Sequence, residues 1–372
     1  MSARRRNEPD LNTAVNAFMR LDRRAQVIVL AVAAAAAVVV GVLYLSGAFR
    51  REQAKLPPAG PGSATTQVAP HEAPTSKKPP KVRPGSVDGA SATASMDLGD
   101  PLLLGNPSNA SAGSSGDRNN YLLNRPIYAL SWNDATGTPN WVSWRTVASN
   151  FGNGERAGGF DADPDLPAGF KRVGHTDYSG SGFDRGHMCP KADRDATSEL
   201  AALTFLTSNI IPQAPNVNQK AWEQLESYAR GIVTRQHLRL YTVAGPWGRR
   251  GRGLNGWTET TGHGDKVVVP AECWKVIVAI PDFAGPDDPN RVGPDARVIA
   301  VVMPNDNDAV GDAWAGFRVT PAQIEQKTGY RFFTNLRPEV AEALRNKLDT
   351  EPIAPPKPNN YGRPRPGRNE SK

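Results

Sequence analysis

Cysteine is nearly absent from the chain, with two residues, Cys189 and Cys273, among 372. Neither sits in a Cys-x-x-Cys pair, which argues against a disulfide framework, a structural zinc site and a thioredoxin-like redox motif. No internal repeat is present, so the length has to be explained by distinct segments. Strands and helices show no strict alternation, which argues against a parallel βαβ sheet. Acidic residues are outnumbered, 37 against 44 Lys and Arg, for a formal net charge of +7. That balance favours a polyanionic partner, nucleic acid or anionic lipid, without choosing between them.

What is present divides the chain sharply. "QVIVLAVAAAAAVVVGVLYLSGAF", 26–49, carries no charge and exceeds the roughly 20 apolar residues that span a bilayer. It is expected to be a transmembrane anchor. Arg4, Arg5, Arg6, Arg20, Arg23 and Arg24 precede it and place 1–25 in the cytoplasm by the positive-inside bias. The alternative is a signal peptide, with Ser46-Gly47-Ala48 as a small-residue cleavage site. Either way the remainder is expected outside the cytoplasm, periplasmic or extracellular, anchored or secreted. Residues 50–116, rich in Pro, Ala, Ser and Gly, are expected to be a disordered linker, and 351–372 a disordered basic tail. Between them, 117–350 holds all eight tryptophans and the strand-like runs, and is expected to fold.

Within that segment the strand candidates are "RPIYALSWN", "LRLYTVAGP", "KVVVPAECWKVIVAI", broken near Pro270, and "RVIAVVMPN". Helices are expected at "ATSELAALTF", "NQKAWEQLESYARGIV", "TPAQIEQKTG" and "PEVAEALRNKL". The predicted class is α+β, a mostly antiparallel central sheet with helices packed on it.

One helix raises a question of chemistry. Asn218, Trp222, Glu226 and Arg230 stand at successive i, i+4 positions and drift slowly round one side. Taken alone, Asn218 is an N-cap, Trp222, Leu225 and Ala229 form a core stripe, and Glu226 and Arg230 form an ordinary ion pair. The wider order changes that picture. "DRGHMCP" (184–190), "TSNIIPQ" (207–213) and "NQKAWEQLE" (218–226) follow one another, and together they resemble the DNA/RNA non-specific endonucleases of the ββα-metal, endonuclease G-like type. The resemblance runs through "LRLYTVAGP", "VVVPAECWKVIV", "ARVIAVVMPN" and "IEQKTGYRFF", covering roughly 120–348.

The resemblance implies a ββα-metal nuclease fold and cleavage of DNA and RNA with little sequence preference. It implies His187 as general base toward the attacking water, a role that suits an imidazole with an unperturbed pKa of about 6.5. It implies Asn218 as the direct ligand of Mg2+, or of another divalent cation such as Mn2+, with Glu226 acting through a metal-bound water. The cation would stabilise the leaving group. Arg185 and Arg230 match family arginines that hold the anionic centre, Asn209 matches a supporting residue, and Asp184 is expected to orient its loop by bonding backbone or arginine. For the upstream phosphate clamp Arg156 is the candidate and Arg145 the alternative.

Arg249, Arg250 and Arg252 in "WGRRGRG" offer substrate-backbone contacts or a solubilising loop. His175 and His263 are expected to be loop and turn residues. In an exported domain Cys189 and Cys273 would form a disulfide, the alternative being two buried thiols. No segment resembles a base-reading helix. DNA and RNA are the expected partners, with a membrane through the N-terminal segment; a homodimer stays open, and any inhibitor protein is unknown from sequence. Two other functions remain open: a membrane-tethered protein that captures nucleic acid without cutting it, and a phosphodiesterase on other substrates.

Overall fold

Period-two alternation dictates the architecture. In β11 (Glu272–Pro281), Cys273, Ile277 and Ala279 enter one apolar cluster while Trp274, Val276, Val278 and Ile280 enter another. Because both faces are covered, "CWKVIVAI" reads as a near-continuous apolar run interrupted only by Lys275. β11 lies within a seven-stranded, fully antiparallel sheet in the order β1-β2-β3-β6-β11-β12-β13. Its other members are β1 (Tyr121–Asn124), β2 (Ala129–Asn133), β3 (Thr138–Thr146), β6 (Leu238–Trp247), β12 (Arg297–Pro304) and β13 (Arg318–Val319). The computed structural model describes residues 98–113, 117–155, 158–283, 286–309, 311 and 313–353, all within one unit, Pro84–Lys372. The anchor expected at 26–49 and most of the expected linker and tail lie outside them. Among the described residues no helix is long and apolar enough to cross a membrane.

The first face carries the residues singled out by sequence. Val142, Trp144, Leu240, Ala244, Ile299 and Val301 pack there against Met188, Ile210, Ile211, Trp222, Leu225 and Ile232. These come from β4 (Asp184–His187) and its following loop, β5 (Ile210–Gln213), and a long helix. That helix opens with a π-helical turn, Val217–Trp222, and continues as an α-helix, Glu223–Gln236. A short α1 (Ser198–Leu203), capped by Thr197 through its bond to Leu200 N, bridges β4 and β5; the long helix is α2. On the opposite face, α3 (Pro321–Thr328) and α4 (Pro338–Arg345) bury Ile324, Val340, Ala341 and Leu344. Each such large apolar side chain contributes on the order of 1.5–3 kcal/mol.

Three expectations need correction. The linker boundary at 116 is too late, since Leu103, Leu104 and Ala110 are buried in the second cluster and Ser143 Oγ donates to Pro101 O at 2.6 Å. Asp100 N likewise bonds Asp287 at 2.9 Å. The expected Cys189–Cys273 disulfide is absent, and both are free, buried thiols. Each thiol is buried on its own fixed backbone, Cys189 held by the side chain of Asn209 and Cys273 by sheet register with Pro246 and Met303. Finally, "DRGH" is a strand rather than a loop, paired residue for residue with "IIPQ".

Candidate active site

β4, β5 and the helix that follows form a ββα unit. The pairing sets Asp184 opposite Gln213 and His187 opposite Ile210. The glycine of the motif has a packing cause: a Cβ on Gly186 would stand 2.6 Å from the Cβ of buried Gln213, so only glycine lets the strands close. His187 is half-buried between two rings, with Phe205 at a centroid distance of 4.9 Å and perpendicular, and Phe160 at 5.5 Å. Asn209 fixes the chain just beyond it. This fully buried amide accepts from Cys189 N at 2.9 Å and donates to the carbonyls of Cys189 and Thr204, each at 2.9 Å, while Met188 N bonds Asn209 O. Asn209 thus ties the chain after β4 to the end of α1.

Asn218 is not an N-cap. Its backbone N–H bonds Ala214 O at 2.9 Å, so it lies inside the helix, within the π-helical turn. Such turns hold an extra residue and recur at functional sites. Here Asn305 and Asn307 hold the approach: Asn305 Oδ1 accepts from Ala214 N at 2.7 Å, and Asn307 Oδ1 accepts from Asn216 N at 3.0 Å. Nδ2 of Asn218 donates to Asp184 Oδ2 at 2.9 Å, and Gln219 Nε2 donates to the same oxygen at 2.8 Å. Asp184 therefore joins the motif strand to the helix, rather than bonding a loop backbone or an arginine. With its amide nitrogen so engaged, Asn218 keeps its carbonyl oxygen, the cation-binding end of an amide.

Glu226 and Arg230 do not form the expected pair with each other. Glu226 accepts from Lys275 Nζ at 2.9 Å, an ion pair whose lysine side chain is 2% exposed. Burial pushes the Glu226 carboxyl above the usual carboxylate range, with Lys275 and then Arg230 opposing. Lys275 Nζ also lies 4.1 Å from the Trp222 ring and 5.7 Å from that of Trp144. Arg230 instead reaches Asp193 at 3.4 Å and Glu223 at 3.8 Å, and Asp193 also accepts from Trp144 Nε1 at 3.0 Å. Lys275 and Asp193 were missed by sequence reasoning. Lys275 had left a signal, a single charge inside an apolar strand; Asp193 in "KADR" had left none.

Arg185 leans on a wall of aromatic and loop groups. Its Nη2 bonds His175 O at 3.0 Å and Ser179 Oγ at 3.1 Å and lies 3.3 Å from His175 Nε2, while the guanidinium lies 5.4 Å from the Phe160 ring. Its Nε is buried and has no hydrogen-bond partner among the described residues, a donor available to an anion. His175 thus sits beside the motif, which its glycine-bearing loop did not disclose.

The remaining candidates separate. Arg156 lies outside the described residues. Arg145, its alternative, is fully buried on β3 and bonds Asp287 at 3.0 Å, so it supports the sheet and is closed to a phosphate. Arg249 pairs with Glu259 at 3.6 Å, Arg252 with Asp308 at 2.6 Å, and Arg250 lies over the Trp257 ring. His263 is in a turn, as expected. Among the described residues no cluster of three or more His, Cys, Asp or Glu could hold a metal ion.

A family model described as DNA/RNA non-specific endonuclease matches residues 105–339. A protein named nuclease from a Nostoc species is 42% identical over 252 residues, covering 67% of this chain and 85% of that one. The nuclease of Serratia marcescens is 30% identical over 239 residues, 63% of this chain and 82% of its own. Human mitochondrial endonuclease G is 28% identical over 220 residues, 58% and 70% respectively. A solved EndoG/EndoGI complex overlaps 64% of this chain and 91% of that one at 25% identity, with a TM-score of 0.49. The chain belongs to the DNA/RNA non-specific endonuclease family.

Proposed function

We infer that the chain hydrolyses phosphodiester bonds of DNA and RNA without sequence preference, with the ββα unit as its active site. The observation that carries this reading is the Asn218–Asp184 hydrogen bond of 2.9 Å, which fastens an amide ligand to the strand bearing His187. His187 is the general base: its imidazole is wedged between Phe160 and Phe205, and Asn209 fixes the backbone that follows it. Arg185 offers its unbonded Nε to the phosphate, and Arg230, held by Asp193, adds a second positive charge.

A divalent cation fits these residues. Asn218 supplies one neutral oxygen and Glu226 a carboxylate to hold a cation-bound water, a sparse protein set that suits Mg2+, which dehydrates reluctantly. When bound, the ion offsets charge developing on the leaving oxygen. Arg249, Arg250 and Arg252 serve the polyanion outside the reacting centre, where contact with phosphate and sugar carries no sequence information. A location outside the cytoplasm, with 26–49 as anchor or signal, is part of the proposal.

The test incubates supercoiled plasmid and RNA with the full chain in Mg2+, in EDTA and in Mn2+. Cleavage of both polymers that needs the cation supports the reading. Tight binding without cleavage in every cation would replace it with nucleic-acid capture.

A further inference from the structure

Six of the eight tryptophans are buried, Trp132, Trp141, Trp144, Trp222, Trp274 and Trp314, whereas Trp257 is 53% exposed and Trp247 39%. Trp257 lies at the centre of a hairpin made by β7 (Gly251–Gly253) and β8 (Gly256–Thr258), opposite Arg252. A large apolar ring on so small a ribbon gains nothing from core packing. Above it stands Arg250, whose guanidinium carbon is 5.7 Å from the ring centroid. Arg249 and Arg252 each have a carboxylate partner, and among the described residues Arg250 has none. Its backbone is held at φ 82°, a region an arginine rarely occupies, and its N–H bonds Val269 O at 2.9 Å. A cation without a carboxylate partner among the described residues thus stands beside an exposed indole.

The hairpin is also fixed to the loop that leads into β4. Leu254 N bonds Gly182 O at 2.9 Å, and Asn255 Nδ2 bonds Gly180 O at 2.9 Å. A Cβ on Gly253 would fall 2.5 Å from Gly182 O, so the two chains touch through glycine. Gly182 and His187 are separated by no more than about 18 Å of extended chain. On its far side the hairpin bonds the loop that holds the π-helical turn, through Arg252 N to Asn305 O and Asn307 N to Arg252 O.

We propose that Trp257 and Arg250 form a stacking platform for an unpaired base of the substrate strand, a binding site outside the reacting centre on the hairpin tied to the loop before β4. This rests on the nuclease reading above. An indole face accepts any base, which agrees with absent sequence preference, and the guanidinium adds attraction for the strand. Bases inside a duplex have no free face to offer, so the platform favours single-stranded DNA and RNA over duplex DNA.

The experiment compares the full-length wild type, Trp257→Ala and Trp257→Phe on a twelve-residue oligothymidylate and on the same backbone lacking its bases. One stacked base corresponds to a change of about 5- to 150-fold in binding. Wild-type KM is expected to rise by that factor when the bases are removed, with kcat little changed. Trp257→Ala is expected to show the raised KM on both substrates and no dependence on bases, and Trp257→Phe to recover most of the difference. The proposal is overturned if Trp257→Ala distinguishes the two substrates as the wild type does, or if it loses kcat equally on both, the mark of a structural role. Failure of the wild type to cut either oligonucleotide or plasmid would instead remove the nuclease reading.

Discussion

Lys275 is the residue on which the site's electrostatics turn. It lies mid-strand in β11, opposite Ala244 and Val301, and its ammonium has Glu226 and the faces of two tryptophans for company. Removing one member of a buried ion pair leaves the other uncompensated, at about 3–5 kcal/mol. Lys275→Met should therefore destabilise the domain by that amount in urea unfolding, and adding Glu226→Gln should recover part of it. The thiols give a second, independent check. Burial pushes Cys189 and Cys273 each up to about 12, so neither forms appreciable thiolate at pH 8. A chromogenic disulfide reagent should find no thiol in the native protein and two after denaturation without reductant; none after denaturation would restore the disulfide.

Among the elements, the long helix shows what sequence could and could not disclose. Its apolar stripe was legible, and Trp222, Leu225 and Ala229 are all buried. The π-helical turn was not, and the residues that fix the chain leading into it, Asn305 and Asn307, lie far off in sequence. The same distance hid Lys275, the partner of Glu226 on β11, and Asp193, a partner of Arg230 just after the motif. "DRGH" looked like a loop because charge and glycine masked a four-residue strand, although its histidine was legible by resemblance. Asp184 orients Asn218 through their 2.9 Å hydrogen bond. Asp184→Ala should keep the fold, by circular dichroism, and weaken Mg2+ affinity by about 10- to 100-fold, as losses of groups that orient metal ligands do. Unchanged affinity in a titration monitored by cleavage rate would separate Asp184 from the metal.

Among the described residues, a sheet buried on both faces holds the ββα unit on one side and α3, α4 and the segment around Leu103, Leu104 and Ala110 on the other. Trp144, Leu240 and Ile277 on the site face made the core visible in sequence, while the inclusion of 98–113 was not, since Leu103 and Leu104 lie in a stretch otherwise low in apolar residues. That segment is tied down at Asp287, which bonds Arg145 at 3.0 Å, Arg239 at 2.6 Å and Tyr241 Oη at 2.8 Å. Burial works to raise the Asp287 carboxyl, yet the Asp100 N–H, the Tyr241 hydroxyl and Arg145 overcome it and hold it below the usual carboxylate range. A depressed carboxylate contributes its stability above the unfolded value near 3.9 and loses it as pH falls through the folded value. Unfolding free energy should accordingly drop as pH falls below about 4, and Asp287→Asn should be less stable at neutral pH and lack that part of the drop.

The most direct measurement is single-turnover cleavage of plasmid over a range of Mg2+ concentrations by the wild type, His187→Ala and Asn218→Ala. His187→Ala should lose about 10²- to 10⁴-fold in rate at every concentration, the usual worth of a general base, and Asn218→Ala should recover part of its loss as Mg2+ rises. Wild-type rates in His187→Ala, or a rate in Asn218→Ala that matches the wild type at low Mg2+, would contradict the assignment of this ββα unit as the active site.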